Sequence, residues 1–347
     1  MNDEWMTRLR TNPVPWLLEL DNPSVRYFTL TELLQLSESD ADVHETKELI
    51  MSHGIIPRIL KKQTPQGNWY YPKVEKKYGN SFLVECGYLP KYRGTIWQLI
   101  IFAELGADEK DSRIKKACEY VLERIFIEQN GEGFFTFDPT LTSTYSQAPC
   151  FAGNMVYSFS RLGYKNDSRI RKALDWLIKY QRFDDGEWAT PNEWPYKGRK
   201  DRCFGSHSCY MGCIKALKAI TTVSPEERTK QMHEFIQKGA EFFLRHHIYK
   251  KSHNLTKIIK KGYDQMSFPT MYHSDFLEIL LVLTDLGIHD ERMSDAIELL
   301  LSKQTAEGQW ILERTPRYML TKIETRGKES KWITYRALKV LKGYFSS

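Results

Sequence analysis

No apolar run in this sequence approaches the roughly 18–20 residues needed to span a bilayer; the longest lies around Leu277–Leu283. The opening Met1-Asn-Asp-Glu-Trp-Met-Thr-Arg8 has no basic start followed by an apolar stretch, so no secretory leader is expected. Six Cys in 347 residues are too sparse for a disulfide scaffold, and in the expected cytoplasmic setting they stay reduced. No charge sign dominates: 50 Lys and Arg against 44 Asp and Glu leave +6, spread along the chain. The densest basic stretch, Lys250, Lys251, Lys257, Lys260 and Lys261, reads as a solvated face rather than a nucleic-acid site. No Gly-rich phosphate loop precedes a helix, and no Ser sits in a strand–turn–helix elbow. Strand patterns are scarce.

What is present is an ordinary globular balance, 41% hydrophobic and 27% charged, over a length whose soft prior is two domains. Aromatic residues stand out at 13%, with 9 Trp, which calls for a thick core or an aromatic-lined cavity.

Internal periodicity organises the chain. A Gln, then a Gly, then an aromatic residue two positions on recurs as Gln63…Gly67-Asn-Trp69, Gln129…Gly133-Phe-Phe135, Gln181…Gly186-Glu-Trp188 and Gln304…Gly308-Gln-Trp310. The glutamines are 66, 52 and 123 residues apart, so a degenerate unit is expected around Ile248–Lys261. A second marker keeps the rhythm: Leu105-Gly106 before Asp111-Ser-Arg113, Leu162-Gly163 before Asp167-Ser-Arg169, and Leu286-Gly287 before Asp290-Glu-Arg292. Between markers, Thr95–Leu105, Gly153–Leu162, Met211–Ile220, Asp275–Leu286 and Lys331–Leu341 are apolar on several faces, as buried helices are. Arg113–Ile125, Arg169–Tyr180, Glu226–Arg245 and Arg292–Lys303 mix apolar and charged residues at helical spacing, as an outer layer does. Units of about 60 residues exceed the roughly 34–47 of common helical solenoids. The spacing therefore predicts an all-α fold, an (α/α) toroid barrel of helical hairpins with inner and outer rings. It would be one domain over 1–347, with repeats from 61 to 347. Residues 1–60 complete the ring or cover its mouth, and completion is the expectation.

These Gln…Gly-x-Trp elements on helical hairpins resemble the α/α-toroid terpenoid cyclases and protein prenyltransferase β-subunits, over about Leu60 to Leu341. The chain looks similar to compact prokaryotic prenyltransferase- or squalene-cyclase-like proteins. Pro15-Trp-Leu-Leu-Glu, Asn22-Pro-Ser-Val-Arg-Tyr27 and Ser330-Lys-Trp-Ile-Thr-Tyr-Arg-Ala-Leu338 carry that likeness. The resemblance implies an apolar central cavity for an isoprenoid chain, with aromatic faces able to stabilise a cation. Trp69, Trp188 and Trp310 read instead as wedges between helices. The implied partners are an apolar small molecule or isoprenoid, with no nucleic acid, no transmembrane segment and at most a peripheral membrane contact. The sequence departs from the family where its chemistry resides: it has no Asp-x-Asp-Asp acid motif and no Asp-Asp-x-x-Asp diphosphate motif. Neither cyclase mechanism carries over.

The stretch richest in chemistry is Asp201-Arg-Cys203-Phe-Gly-Ser-His207-Ser-Cys209-Tyr-Met-Gly-Cys213. Thiolate and imidazole are preferred zinc ligands, and Cys203, His207 and Cys209 could share one ion. Repeat alignment offers a fourth ligand. Cys150 lies 13 residues before Gly163, while His207 and Cys209 lie 14 and 12 before the matching Thr221. His273 and Asp275 lie 14 and 12 before Gly287. In a toroid all of these occupy one rim. The family implies a rival zinc set, Asp201 and Cys203 with His273 one repeat later, although this Asp-x-Cys lies further from its helix than the family pattern has it. The plainer alternatives are buried thiols, a hydrogen-bonded His273 and a helix-capping Asp275. If the rim is catalytic, Asp275 is the general-acid candidate, with His273 beside it. A glycoside-hydrolase reading through Asp184 and Asp185 ranks third.

Overall fold

A computed structural model describes residues 4–70, 73–79, 81–139, 147–197 and 203–345. It is helix-rich, 51% helical with few short strands, compatible with the all-α class. The N-terminal part runs through α1 (Glu4–Thr7), α2 (Val14–Leu17), α3 (Pro23–Phe28), α4 (Ala41–Ser52) and α5 (Ile55–Leu60). Next come α6 (Lys73–Tyr78), α7 (Phe82–Glu85), α8 (Thr95–Leu105) and α9 (Ser112–Ile125), leading into a hairpin of β1 (Phe126–Gln129) and β2 (Glu132–Phe135). Four helices follow: α10 (Pro149–Phe159), α11 (Ser168–Tyr180), α12 (Tyr210–Ile220) and α13 (Lys230–Arg245). A second hairpin, β3 (Lys250–Lys251) and β4 (Asn254–Ile258), precedes α14 (Phe276–Asp285), α15 (Ser294–Ser302) and α16 (Lys331–Phe345). Among the described residues no helix is long and apolar enough to cross a membrane.

The expected helices form where the pattern places them. Every residue of α8 is buried, matching its apolar faces. By contrast α9 buries Ile114, Ala117, Cys118, Val121, Leu122 and Ile125, one stripe at helical spacing. α10 begins at Pro149, earlier than the apolar pattern alone suggests, because proline's fixed φ suits a first helical turn. The Leu-Gly turns use left-handed backbone, with Gly106, Gly163 and Gly287 at φ 71°, 93° and 77°. Each following Asp is a helix cap in duplicate. Oδ1 of Asp111, Asp167 and Asp290 accepts the backbone N–H of Arg113, Arg169 and Arg292 at 2.8, 2.8 and 2.9 Å. The same arginine's Nη2 returns to Oδ2 at 2.6, 2.7 and 2.8 Å. That guanidinium holds all three carboxyls below their usual range.

Contacts divide the chain into two compact units, one of Met1–Arg58, Phe243–Pro316 and Thr321–Ser347, the other of Ile59–Phe242 and Arg317–Leu320. In the second unit α8, α10 and α12 pack in succession, with α9 against α8 and α11 against α10. Gly153 is where α10 and α12 come closest: a Cβ there would lie 2.4 Å from the Lys215 carbonyl oxygen. In the first unit α16 packs on α14 and on α1 to α3. Phe28 stacks on Tyr335 with centroids 5.8 Å apart, and Tyr335 donates to Glu32 at 2.6 Å. Arg10 N–H reaches Gln304 Oε1 at 2.8 Å, so the N-terminal segment is fastened to the last Gln…Trp loop.

That loop and the first one share a set of hydrogen bonds, one in each unit. Gln63 and Gln304 donate Nε2 to the carbonyls of Gly67 and Gly308 at 2.9 and 3.1 Å. Trp69 and Trp310 donate Nε1 to the carbonyls ten residues back, Ile59 and Leu300, at 2.9 and 2.7 Å. Their backbone N–H groups donate to Thr95 and Thr334 hydroxyls, at 3.2 and 3.0 Å, in the first turn of α8 and α16. The buried indole thus ties the preceding helix to the next one, as a wedge would. The signature is less uniform elsewhere. Gln129–Phe135 falls in the β1–β2 hairpin, which buries Phe134 and Phe135, and residues 248–261, where a degenerate unit is expected, contain the β3–β4 hairpin.

Candidate functional site

In the second unit, the loop before α12 lies along the Gln181 signature loop. Gly186 N–H donates to Ser206 O at 2.9 Å and Ser208 N–H to Asp184 O at 2.8 Å. The Ser208 hydroxyl accepts from Asp184 N–H at 2.8 Å. This pairing exposes His207 and sets its Nε2 3.2 Å from where a Gly186 Cβ would stand. Cys203 is buried and Cys209 half-buried. Cys209 occupies the N-cap position of α12 and makes no side-chain cap bond. Cys150 lies in the first turn of α10, after an N-cap, Ala148, that has no side chain able to cap.

The structure brings the three thiols into one neighbourhood. Burial pushes the Cys150 thiol well up, and the nearby Cys209 and Cys203 push it further, against a smaller opposing effect of Lys215. Cys213, one turn into α12, is held differently: Gln181 Nε2 donates to its Sγ at 3.4 Å, and its thiol donates to Arg182 O at 3.4 Å. Among the described residues no group of three or more His, Cys, Asp or Glu is arranged to hold a metal ion. Of the rival set, Asp201 lies outside the described residues, and Cys203 and His273 belong to different units.

Asp275, in the first unit, has both carboxylate oxygens engaged. Oδ1 accepts Glu278 N–H at 2.9 Å, capping α14, and Oδ2 accepts Ser267 N–H at 2.7 Å. It is 1% exposed, and burial pushes its pKa up to about 6 despite those two bonds, with the Glu278 charge adding to the rise. His273 is exposed, its ring 4.2 Å from that of Tyr272.

Around Asp275 stands a polar cluster that the sequence reading missed. Glu278, 1% exposed, accepts the Thr270 hydroxyl at 2.7 Å. Glu324 accepts the Ser330 hydroxyl and the Trp332 N–H, and burial raises its pKa. The positive charge of Arg336 opposes the rise at both Asp275 and Glu324, and its guanidinium lies 4.6 Å from the centre of the Phe268 ring. The second unit holds a buried pair as well: Lys218 of α12 donates to Glu104 of α8, with both side chains under a tenth exposed. Charged letters inside otherwise apolar helix patterns, such as Glu278 in Phe276-Leu-Glu-Ile-Leu, were the available signal. Asp184 is held by Arg182 at 2.9 and 3.0 Å, which leaves little for a hydrolytic carboxylate pair.

No family model, curated protein or solved structure matches the chain. The site therefore has to be read from its own chemistry.

Proposed function

We propose that the chain is a cytoplasmic (α/α) toroid of the terpenoid-cyclase and prenyltransferase type, one domain that binds an isoprenoid or similar apolar ligand. The observation that carries this reading is the shared Gln–Gly–Trp lock, with its three hydrogen bonds repeated at Trp69 and Trp310 in two separate units. A zinc ion at the rim is proposed with it, held by Cys203, Cys209, Cys150 and His207. What supports the metal is the donor chemistry, three thiols in one neighbourhood. When bound, such an ion would supply Lewis-acid or thiolate-binding chemistry.

The chain's own residues set what else the rim can do. Asp275, with its pKa near 6, is poised to hold a proton close to neutral pH. Holding that proton weakens the N–H bonds its oxygens accept, so proton transfer and capping compete at one group. This favours a second reading, a non-catalytic ligand-binding or scaffold toroid whose zinc is structural, because both Asp275 oxygens already serve the backbone.

Two measurements test the proposal. Solvent extraction of protein purified under reducing, chelator-free conditions should release an isoprenoid-type lipid. No lipid in the extract, together with no thermal shift on adding polyprenols, would remove the ligand. Elemental analysis should find stoichiometric zinc that Cys203→Ala loses; zinc absent from the parent protein, or fully retained by Cys203→Ala, would remove this metal site. Turnover of an isoprenoid substrate that is lost in Asp275→Asn separates the catalytic reading from the scaffold.

A further inference from the structure

From His246 to Tyr263 the chain contains five Lys and no Asp or Glu. The β3–β4 hairpin presents this segment. Its root is fixed: Lys250 Nζ and His247 Nδ1 both contact Asp295 Oδ2 of α15, at 2.6 and 2.7 Å. Tyr249 packs against Phe276 at 6.0 Å, and Ile259 N–H returns to Tyr249 O at 2.9 Å. With Lys250 neutralised by Asp295, the remaining lysines are Lys251, Lys257, Lys260 and Lys261, the last three exposed.

Lysines on a two-stranded hairpin have a plain explanation, since charge discourages edge-to-edge pairing. That explanation predicts polar residues between the lysines. Instead Leu255 and Ile258 stand among them at 36% and 38% exposure, in a strand where four of five residues face solvent. Aliphatic tips between lysines fit a surface that is anionic outside and apolar beneath, namely the headgroup layer of a bilayer. Nucleic acid is a poorer fit. The segment has no Arg for bidentate phosphate contact, and its one tyrosine pair is taken up at the root and base of the hairpin, Tyr249 against Phe276 and Tyr263 buried.

We propose that the β3–β4 hairpin docks the protein on anionic lipid surfaces, with Lys251, Lys257, Lys260 and Lys261 over the headgroups and Leu255 and Ile258 entering the interface. The proposal does not depend on the identity of any internal ligand. Each lysine near such a surface contributes about fivefold in binding.

The test is co-sedimentation of the full chain with phosphatidylcholine vesicles, with and without phosphatidylserine. Binding should require phosphatidylserine and weaken with salt. Lys257→Glu/Lys260→Glu should weaken it by more than about tenfold, and Leu255→Ser/Ile258→Ser should weaken it while leaving the salt dependence intact. All four positions are exposed, so near-native thermal unfolding is expected for both variants. A failure to bind phosphatidylserine vesicles overturns the proposal, as does binding that neither variant alters. Equal binding to single-stranded nucleic acid, lost in the lysine variant and kept in the leucine–isoleucine variant, would reassign the hairpin. Lipid extraction and zinc content should be unchanged in both variants, so failure here leaves the proposed function standing, and the converse holds too.

Discussion

The entrances to α12 and α14, which the sequence spacing aligns, are built in opposite ways. At α14 the N-cap is Asp275, buried, with both oxygens committed to backbone N–H groups. At α12 the N-cap is Cys209, half-buried, which caps nothing, and a second thiol, Cys203, stands nearby in the preceding loop. One entrance consumes its chemistry in holding the helix. The other places a thiol at the cap position and makes no side-chain cap bond with it. The contrast teaches that a perturbed pKa alone is a poor guide to function, since the Asp275 carboxyl, raised to about 6, is also committed to two backbone N–H groups.

The largest expected effect falls on the committed side. Asp275→Ala removes two charge-assisted bonds and leaves buried N–H groups unmet, for a loss of about 3 kcal/mol in urea unfolding. Cys209→Ala should cost under about 1 kcal/mol in metal-free protein. Equal costs would break the comparison and would give Cys209 a structural role that needs no metal.

Asp275 also predicts a pH dependence. Its pKa is raised to about 6 in the folded protein, against about 3.9 unfolded, so the native state holds the proton more tightly. Its contribution to stability is then complete below about pH 4 and lost as pH rises towards about 6. Over that window the parent protein should lose stability relative to Asp275→Asn as the pH rises, because only the parent loses this contribution. Parallel curves would mean that Asp275 does not titrate there.

Much of this architecture was legible in the sequence, because it is local. The Asp-x-Arg caps, the left-handed glycines and the apolar faces of α8 each depend on residues within a turn or two. Distant partners decided the rest. Gln129 and Gly133 carry the same letters as Gln63 and Gly67, yet they fold as a hairpin whose Phe134 packs 5.7 Å from Trp176 of α11. Glu278, Glu104 and Arg336 looked like departures from an apolar pattern until Thr270, Lys218 and Phe268 supplied their contacts. The docking of residues near Arg10 on Gln304 joins positions far apart in the chain, which no spacing rule reaches. At the candidate site, repeat counting proposed Cys150 as a neighbour of Cys209, and the two thiols interact electrostatically in the structure.

Gly186→Ala probes the loop that positions the thiol side. Its φ of +115° disfavours any side chain, and a Cβ would come 3.2 Å from His207 Nε2. A loss of about 1–2 kcal/mol is expected, with faster labelling of Cys203 as the paired loop loosens. An unchanged labelling rate would show that the Cys203–Ser208 segment is held by something other than its pairing with Asp184–Gly186.

The smallest effect, and the sharpest for the comparison, is thiol reactivity itself. Burial pushes Cys86 up to about 12 and raises Cys118 and Cys213 as well, so these three should resist alkylation at neutral pH in folded protein. Cys209 is partly open to solvent and should label first, with little change in stability. Zinc would reverse that order, because a coordinated thiolate is shielded. Chelation before labelling should then accelerate Cys209, Cys203 and Cys150 together while Cys86 and Cys118 stay slow. Acceleration of Cys209 alone would mean that the thiols are neighbours without a common ion. The α12 entrance would then differ from that of α14 only in leaving its cap unmade.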